Sequence, residues 1–228
     1  GIASQLVVTT LAAGATSGAA FTTQPAVAIR DAAGNTLLSD NATVVTMTVS
    51  AGGTVVGIAT ATAASGVATF STVGISGIVG DYTLTFTAGA LTVDQAITLT
   101  AGVATQLAVT TPAAGATSGA AFTTQPAVAI RDAAGNTLLT DNSTVVTMTV
   151  SAGGTVVGTA TATAASGVAT FSTVGISGLA NPYTLTFTAG ALTVDQAITL
   201  TAGIASQLVV TTPAAGATSG AAFTTQPA

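Results

Sequence analysis

The chain has 228 residues, a net charge of −5 and only 4% charged residues, against roughly 25% in ordinary soluble domains. Lys, Glu, His, Cys and Trp are absent. Disulfides, thiolate chemistry and lysine–asparagine crosslinks are thereby excluded, and two Arg cannot supply the phosphate neutralisation that nucleic-acid binding needs.

Sliding the sequence against itself by 101 positions superimposes Gly1 on Gly102 and Gly203, Arg30 on Arg131, and Tyr82 on Tyr183. Residues 1–101 and 102–202 differ at 11 positions, among them Leu11 against Pro112 and the turn Val79-Gly80-Asp81 against Ala180-Asn181-Pro182. A period of 101 residues makes each copy a small domain with its own core, unlike the shorter units of solenoids. Two domains and the first strands of a truncated third copy, residues 203–228, are expected. Lacking an initiator Met and stopping inside a repeat, the chain reads as a window onto a longer array.

Within one copy, "SQLVVTT" (4–10), "FTTQPA" (21–26) and "AVAIRD" (26–31) are expected to give two or three short strands. In "TVVTMTV" (43–49) the β-branched alternation places Val45, Met47 and Val49 inward and Thr46 and Thr48 outward. "GVATFSTVGIS" (66–76) supplies a strand around Phe70. "YTLTFTAG" (82–89) turns Tyr82, Leu84 and Phe86 inward, and "LTVDQAITLTA" (91–101) turns Leu91, Val93, Ile97 and Leu99 inward. Gln95 falls on that apolar face, which suggests a bulge or a sheet edge. Gly-rich and Asx-rich stretches such as "AAGATSG", "DAAGN", "SAGG" and "AASG" punctuate these runs. About seven short strands in a domain of this size is the pattern of an immunoglobulin-like antiparallel β-sandwich, so the fold class is all-β with tandem Ig-like sandwiches in a rod or filament. Thr, Ser or Gly interrupts every apolar stretch short of about 18 residues, so no transmembrane helix is expected.

The run "AFTTQPAVAIRDAAGNTLLSDNATVVTMTVSAGG", with the later "GVATFSTVGIS" and "YTLTFTAGALT", resembles the tandem bacterial Ig-like repeats of large secreted surface proteins, related in pattern to invasin-type domains. The resemblance spans each whole copy. It implies an extracellular, cell-surface stalk or fibre module and carries no catalytic residue.

Several motifs admit a site. Asp31, Asn35, Asp40 and Asn41, with Asp132, Asn136 and Asp141 in the second copy, could contribute oxygens to a calcium site, which needs six to eight. The structural alternative is a turn: Asp opens it, Gly takes positive φ and Asn caps the backbone. "NAT" at Asn41 and "NST" at Asn142 satisfy the glycosylation sequon in a loop. The T-x-T runs resemble threonine ranks of ice-binding solenoids, but those need a short coil repeat, and outward Thr is the ordinary solvent face of an antiparallel strand. Arg30 and Arg131 are expected at the surface, in a local ion pair or an inter-domain contact with a carboxylate such as Asp94. With His, Cys, Lys and Glu absent, Ser and Thr lack a conventional base, so no enzyme and no cofactor are expected.

Between Asp94 and Pro112 one strand ends near Thr100 and the next begins near Gln106, with no flexible tract between them. A stiff rod follows, each domain roughly 35 to 45 Å long. An almost uncharged Thr, Ala, Ser and Gly surface favours cover by other copies of itself. The expected function is a structural repeat of a surface fibre, filament or sheath; the alternative is a ligand-binding or spacer segment of an adhesin, recognising through loops such as Asp31 to Asn41. Residues 203–228 cannot order themselves, so Leu208, Val210 and Phe223 are expected to dock by strand addition on another domain or chain; the alternative is an ordinary third domain cut short.

Overall fold

A computed structural model describes residues 1–228, and it contains strands and turns but no helix. The first repeat holds ten strands. They are β1 (Gln5–Thr10), β2 (Ala19–Ala20), β3 (Ala26–Arg30), β4 (Val44–Val49) and β5 (Gly53–Val56), then β6 (Thr60–Ala64), β7 (Val67–Thr69), β8 (Gly74–Gly77), β9 (Gly80–Ala88) and β10 (Leu91–Leu99). The second repeat reproduces the set, from Gln106–Thr111 to Leu192–Thr199.

Seven strands run antiparallel in the order β1-β3-β7-β6-β4-β9-β10, and β2-β8-β5 form a smaller sheet. The outer strands β1 and β10 come into contact, so the long sheet folds over and encloses the core between two layers. Each repeat is thus an Ig-like antiparallel sandwich. The alternation that built β4, β9 and β10 explains the core. Val45, Met47, Leu84, Phe86 and Leu99 are fully buried, Tyr82 nearly so, and the intervening Thr side chains face outward. Phe70 and Phe86 meet with ring centroids 5.6 Å apart and planes tilted by 59°, and Phe171 and Phe187 repeat the pair.

Four expectations are met in part. "FTTQPA" forms no strand beyond a bridge from Thr23 to Ala13. Pro25 has no N–H to give, and the Gln24 side chain does the pairing instead, donating to the Phe21 and Val73 carbonyls and accepting from the Val73 N–H. "GVATFSTVGIS" gives two strands, β7 and β8, with Phe70 between them. Gln95 lies not in a bulge but on β10 at the sheet edge, in an unbroken register opposite Leu84, and the irregularity sits in β1 between Val8 and Thr10. The buried Gln95 amide accepts from the Ala12 N–H at 3.0 Å and donates to the Ala12 carbonyl at 2.7 Å, tying the edge strand β10 to the chain leaving β1.

The fourth concerns residues 203–228. They form no strand, and their hydrogen bonds are internal, as in the bridge between Ala215 and Thr225. Leu208, Val210 and Phe223 are exposed and pair with no strand of residues 1–202. Within this chain the segment is thus docked on neither complete repeat.

Candidate functional site

The "DAAGN" loop follows β3 and is closed by its own acid. Asp31 Oδ1 accepts from the Ala33 N–H at 3.0 Å and the Asn35 N–H at 2.9 Å, while the Asp31 N–H donates to the Asn35 carbonyl at 3.0 Å. In the second repeat the same residues take the same shape: Asp132 Oδ1 accepts from Ala134 and Asn136, each at 2.9 Å. Their surroundings differ. Asp31 is half-buried and Asn35 exposed. Asp132 and Asn136 retain only 2% and 5% of their accessible surface.

The cover is the exit end of the first repeat. Asn136 Nδ2 donates to the Gly77 carbonyl at 2.9 Å, and the Val79 N–H donates to Asn136 Oδ1 at 2.9 Å. Asn136 Nδ2 also donates to Asp132 Oδ2 at 2.8 Å, and the same oxygen accepts from the Gly102 N–H at 2.8 Å. The Gln106 amide donates to the Asp132 carbonyl. Thr100 is held at the other side, its N–H donating to the Ala15 carbonyl while its own carbonyl accepts from Ser17. Gly102 passes so close to the first repeat that a Cβ there would stand 2.2 Å from the Ser17 carbonyl oxygen, so the crossing point admits glycine alone. Beside these bonds lies a cleft of about 490 Å³, lined by Thr16, Val79, Leu99 and Thr100 from the first repeat and Leu138 and Leu139 from the second.

No three of the chain's carboxylates gather as metal ligands. Asp40 Oδ1 caps the Ala42 and Thr43 N–H groups, and Asp141 Oδ1 caps Ser143 and Thr144, so each closes its own turn. Asn41 and Asn142 are exposed. The Asn41 Oδ1 accepts from the Ser65 N–H at 2.8 Å, and Asn142 does the same for Ser166; both serines sit at φ 49°, a left-handed turn that these bonds hold. Asp94 accepts the Thr85 hydroxyl at 2.7 Å, and the buried Nε of Arg30 and of Arg131 has no hydrogen-bond partner. The inter-domain contact expected of the arginines is made by Asp132 and Asn136. Sequence reasoning missed this role because the loop is the same in both repeats and only its neighbour differs.

Burial pushes the Asp132 carboxyl up, but the hydrogen bonds from the Asn136 amide and from the Gly102, Asn136 and Ala134 N–H groups outweigh it and hold its pKa below the ordinary value of 3.8. A depressed carboxyl stabilises the folded joint above the unfolded value and loses that contribution as pH falls through the folded one. The joint is therefore expected to be intact from neutrality to about pH 4 and to loosen below it. Hydrogen exchange at the Val79 amide across this range checks the expectation; unchanged protection in acid would count against it.

No family model matches the chain, and no curated protein matches it. Among solved structures it is similar to FdeC, an adhesin of Escherichia coli, at 15% identity and TM-score 0.44, covering 88% of this chain and 65% of that one. It is similar to a β-glucuronidase of Parabacteroides merdae at 13% identity and TM-score 0.31, covering 85% of this chain and 25% of that one. Domains 5–6 of the S-layer protein SbsC give 20% identity and TM-score 0.31, covering 90% of this chain and 99% of that one. The chain thus spans less than two thirds of the adhesin and a quarter of the enzyme. A likeness shared by an adhesin, an enzyme and an S-layer protein assigns no activity, ligand or partner.

Proposed function

We propose that this chain is a non-enzymatic structural repeat of an extracellular surface fibre, filament or sheath, which keeps its domains at fixed spacing and associates with other copies of itself along its uncharged flanks and by strand addition. The observation that supports this reading is the joint: two sandwiches meet directly through the buried Asp132–Asn136 loop, with Thr100 and Gly102 bound on either side of the crossing. A chain without Lys, Glu or His holds no acid–base pair of the usual kind, and its Thr-rich outer faces give neighbours small, neutral surfaces to pack against. Ligand recognition by the Asp31–Asn41 loop, the adhesin alternative, is disfavoured by the second repeat, where Asp132 and Asn136 of the corresponding loop are occupied by a domain neighbour.

Small-angle scattering from the dilute chain tests the spacer role. A single extended distance distribution, with two lobes at a fixed separation, is expected; a broad distribution of separations would overturn it. Electron microscopy of the native material would show whether the units form fibres or sheaths.

A further inference from the structure

The chain has five asparagines, and the structure puts them to different uses. Asn35 turns its amide nitrogen back on both oxygens of Asp31, and the buried Asn136 amide donates to Asp132 and to the Gly77 carbonyl. Asn181 is exposed and is followed by Pro182. Only Asn41 and Asn142 open an Asn-x-Thr triplet, Asn41-Ala42-Thr43 and Asn142-Ser143-Thr144, and the two copies differ at the middle position alone.

Each triplet lies outside the strands, in the loop that leads into β4 or into its counterpart. Asn41 and Ala42 are exposed and Thr43 is half-buried. Asp40 Oδ1 accepts from the Ala42 N–H at 3.1 Å and the Thr43 N–H at 3.0 Å, so the backbone of the triplet is fixed. The Ser65 N–H, which needs an acceptor, meets the Asn41 oxygen at 2.8 Å and thereby sets which end of the amide is nitrogen. One Nδ2 hydrogen of Asn41 goes to the Ser39 carbonyl at 3.3 Å, and the other has no acceptor in the chain. Asn142 repeats every part, with Ser166 at 2.8 Å on its oxygen, the Thr140 carbonyl at 3.3 Å from its nitrogen and Asp141 capping Ser143 and Thr144. An N-glycosidic bond replaces one amide hydrogen and leaves the second hydrogen and the carbonyl oxygen in place. Attachment at Asn41 or Asn142 therefore breaks no hydrogen bond of the fold, whereas at Asn136 it would break a bond of the joint.

We propose that Asn41 and Asn142 are N-glycosylation sites that take an oligosaccharide from a glycosyl diphosphate donor. In the transfer Nδ2 loses a proton and bonds to the anomeric carbon of the sugar, the bond from that carbon to the phosphate oxygen breaks, and the diphosphate leaves with the electron pair. Thr43 and Thr144 supply the hydroxyl that the triplet requires. Neutral sugar hydroxyls would hydrate a chain whose only charged side chains are two Arg and seven Asp. They would do so from loops, leaving the Thr-bearing faces of β4, β9 and β10 clear for packing. The Asn142 sugar would leave the chain beside the joint, since Thr140, whose carbonyl its amide holds, lines the cleft there. The proposal rests on the extracellular reading, because such transfer acts on exported chains.

The test is peptide mass spectrometry of the chain from its native source, with surface-associated and intracellular material separated first. Peptides containing Asn41 and Asn142 are expected to carry increments of whole sugar residues, and those containing Asn35, Asn136 or Asn181 none. Asn181 is the internal control, exposed but outside any triplet. Thr43→Ala should remove the increment from Asn41 and keep that on Asn142, and Thr43→Ser should keep both. The Asp40 cap is made to the Thr43 backbone N–H, so these variants leave that bond in place. Surface material with unmodified Asn41 and Asn142 overturns the proposal and leaves the extracellular reading standing; so does a sugar that survives Thr43→Ala or that sits on Asn181. A chain found only inside the cell overturns both.

Discussion

Phe86→Ala is expected to melt the first repeat far below the second, which keeps its parental transition. Phe86 lies in β9 between β4 and β10, opposite Met47 on one side and Val93 on the other, and none of it reaches solvent. Its ring packs on Phe70, the only other large aromatic of that layer in direct ring contact with it. Cutting it to a methyl group removes the burial and leaves a cavity in a strand fixed on both sides, at a cost of about 3–5 kcal/mol. A domain this size has about 5–15 kcal/mol in all, so the loss consumes a large share of it. Calorimetry should resolve two transitions, one at the parental temperature for the second repeat and one lower by roughly 12–40 °C for the first. Coincident transitions, or a shift of a degree or two, would contradict the core as described.

Asn136→Ala is expected to uncouple the repeats, and Asn35→Ala to do nothing of the kind in the single chain. The two residues occupy the same loop with the same internal bonds. Only Asn136 also holds Gly77 and Val79, so the pair of variants separates the joint from the loop that carries it. Loss of these buried bonds costs about 1–3 kcal/mol, which lowers the second repeat's transition by roughly 4–24 °C. It also frees the angle between the domains. Residual dipolar couplings read that directly: one alignment tensor for both repeats in the wild type and in Asn35→Ala, two in Asn136→Ala. A single tensor in all three would mean that the short crossing at Gly102, and not the asparagine, fixes the geometry.

These contrasts show where the sequence is informative. Val45, Met47, Leu84 and Phe86 were legible as core because alternation of period two has one meaning when every second residue is Thr. The absence of a tract between Thr100 and Gln106 was likewise enough to bring the two repeats together. Gln95 was not legible, since an amide on an apolar face indicates an unmet need but not the backbone that meets it, here Ala12, 83 positions away. Gln24 replaced a strand for a related reason: its side chain satisfies Val73, 49 positions off, which no local pattern encodes. The joint lay furthest from reach. Asp31 and Asp132 sit in identical words of sequence and differ only in what stands against them, so periodicity implied a contact while leaving its residues open.

The joint contains no residue foreign to the repeats: the exit at Gly77 and Val79 belongs to one, and the Asp132–Asn136 loop and Gly102 to the next. The contacts of the joint are thus carried by the repeat itself, so two successive copies meet with their bonds already specified. The separation of neighbouring domains is then set by the period of 101 residues rather than by a linker.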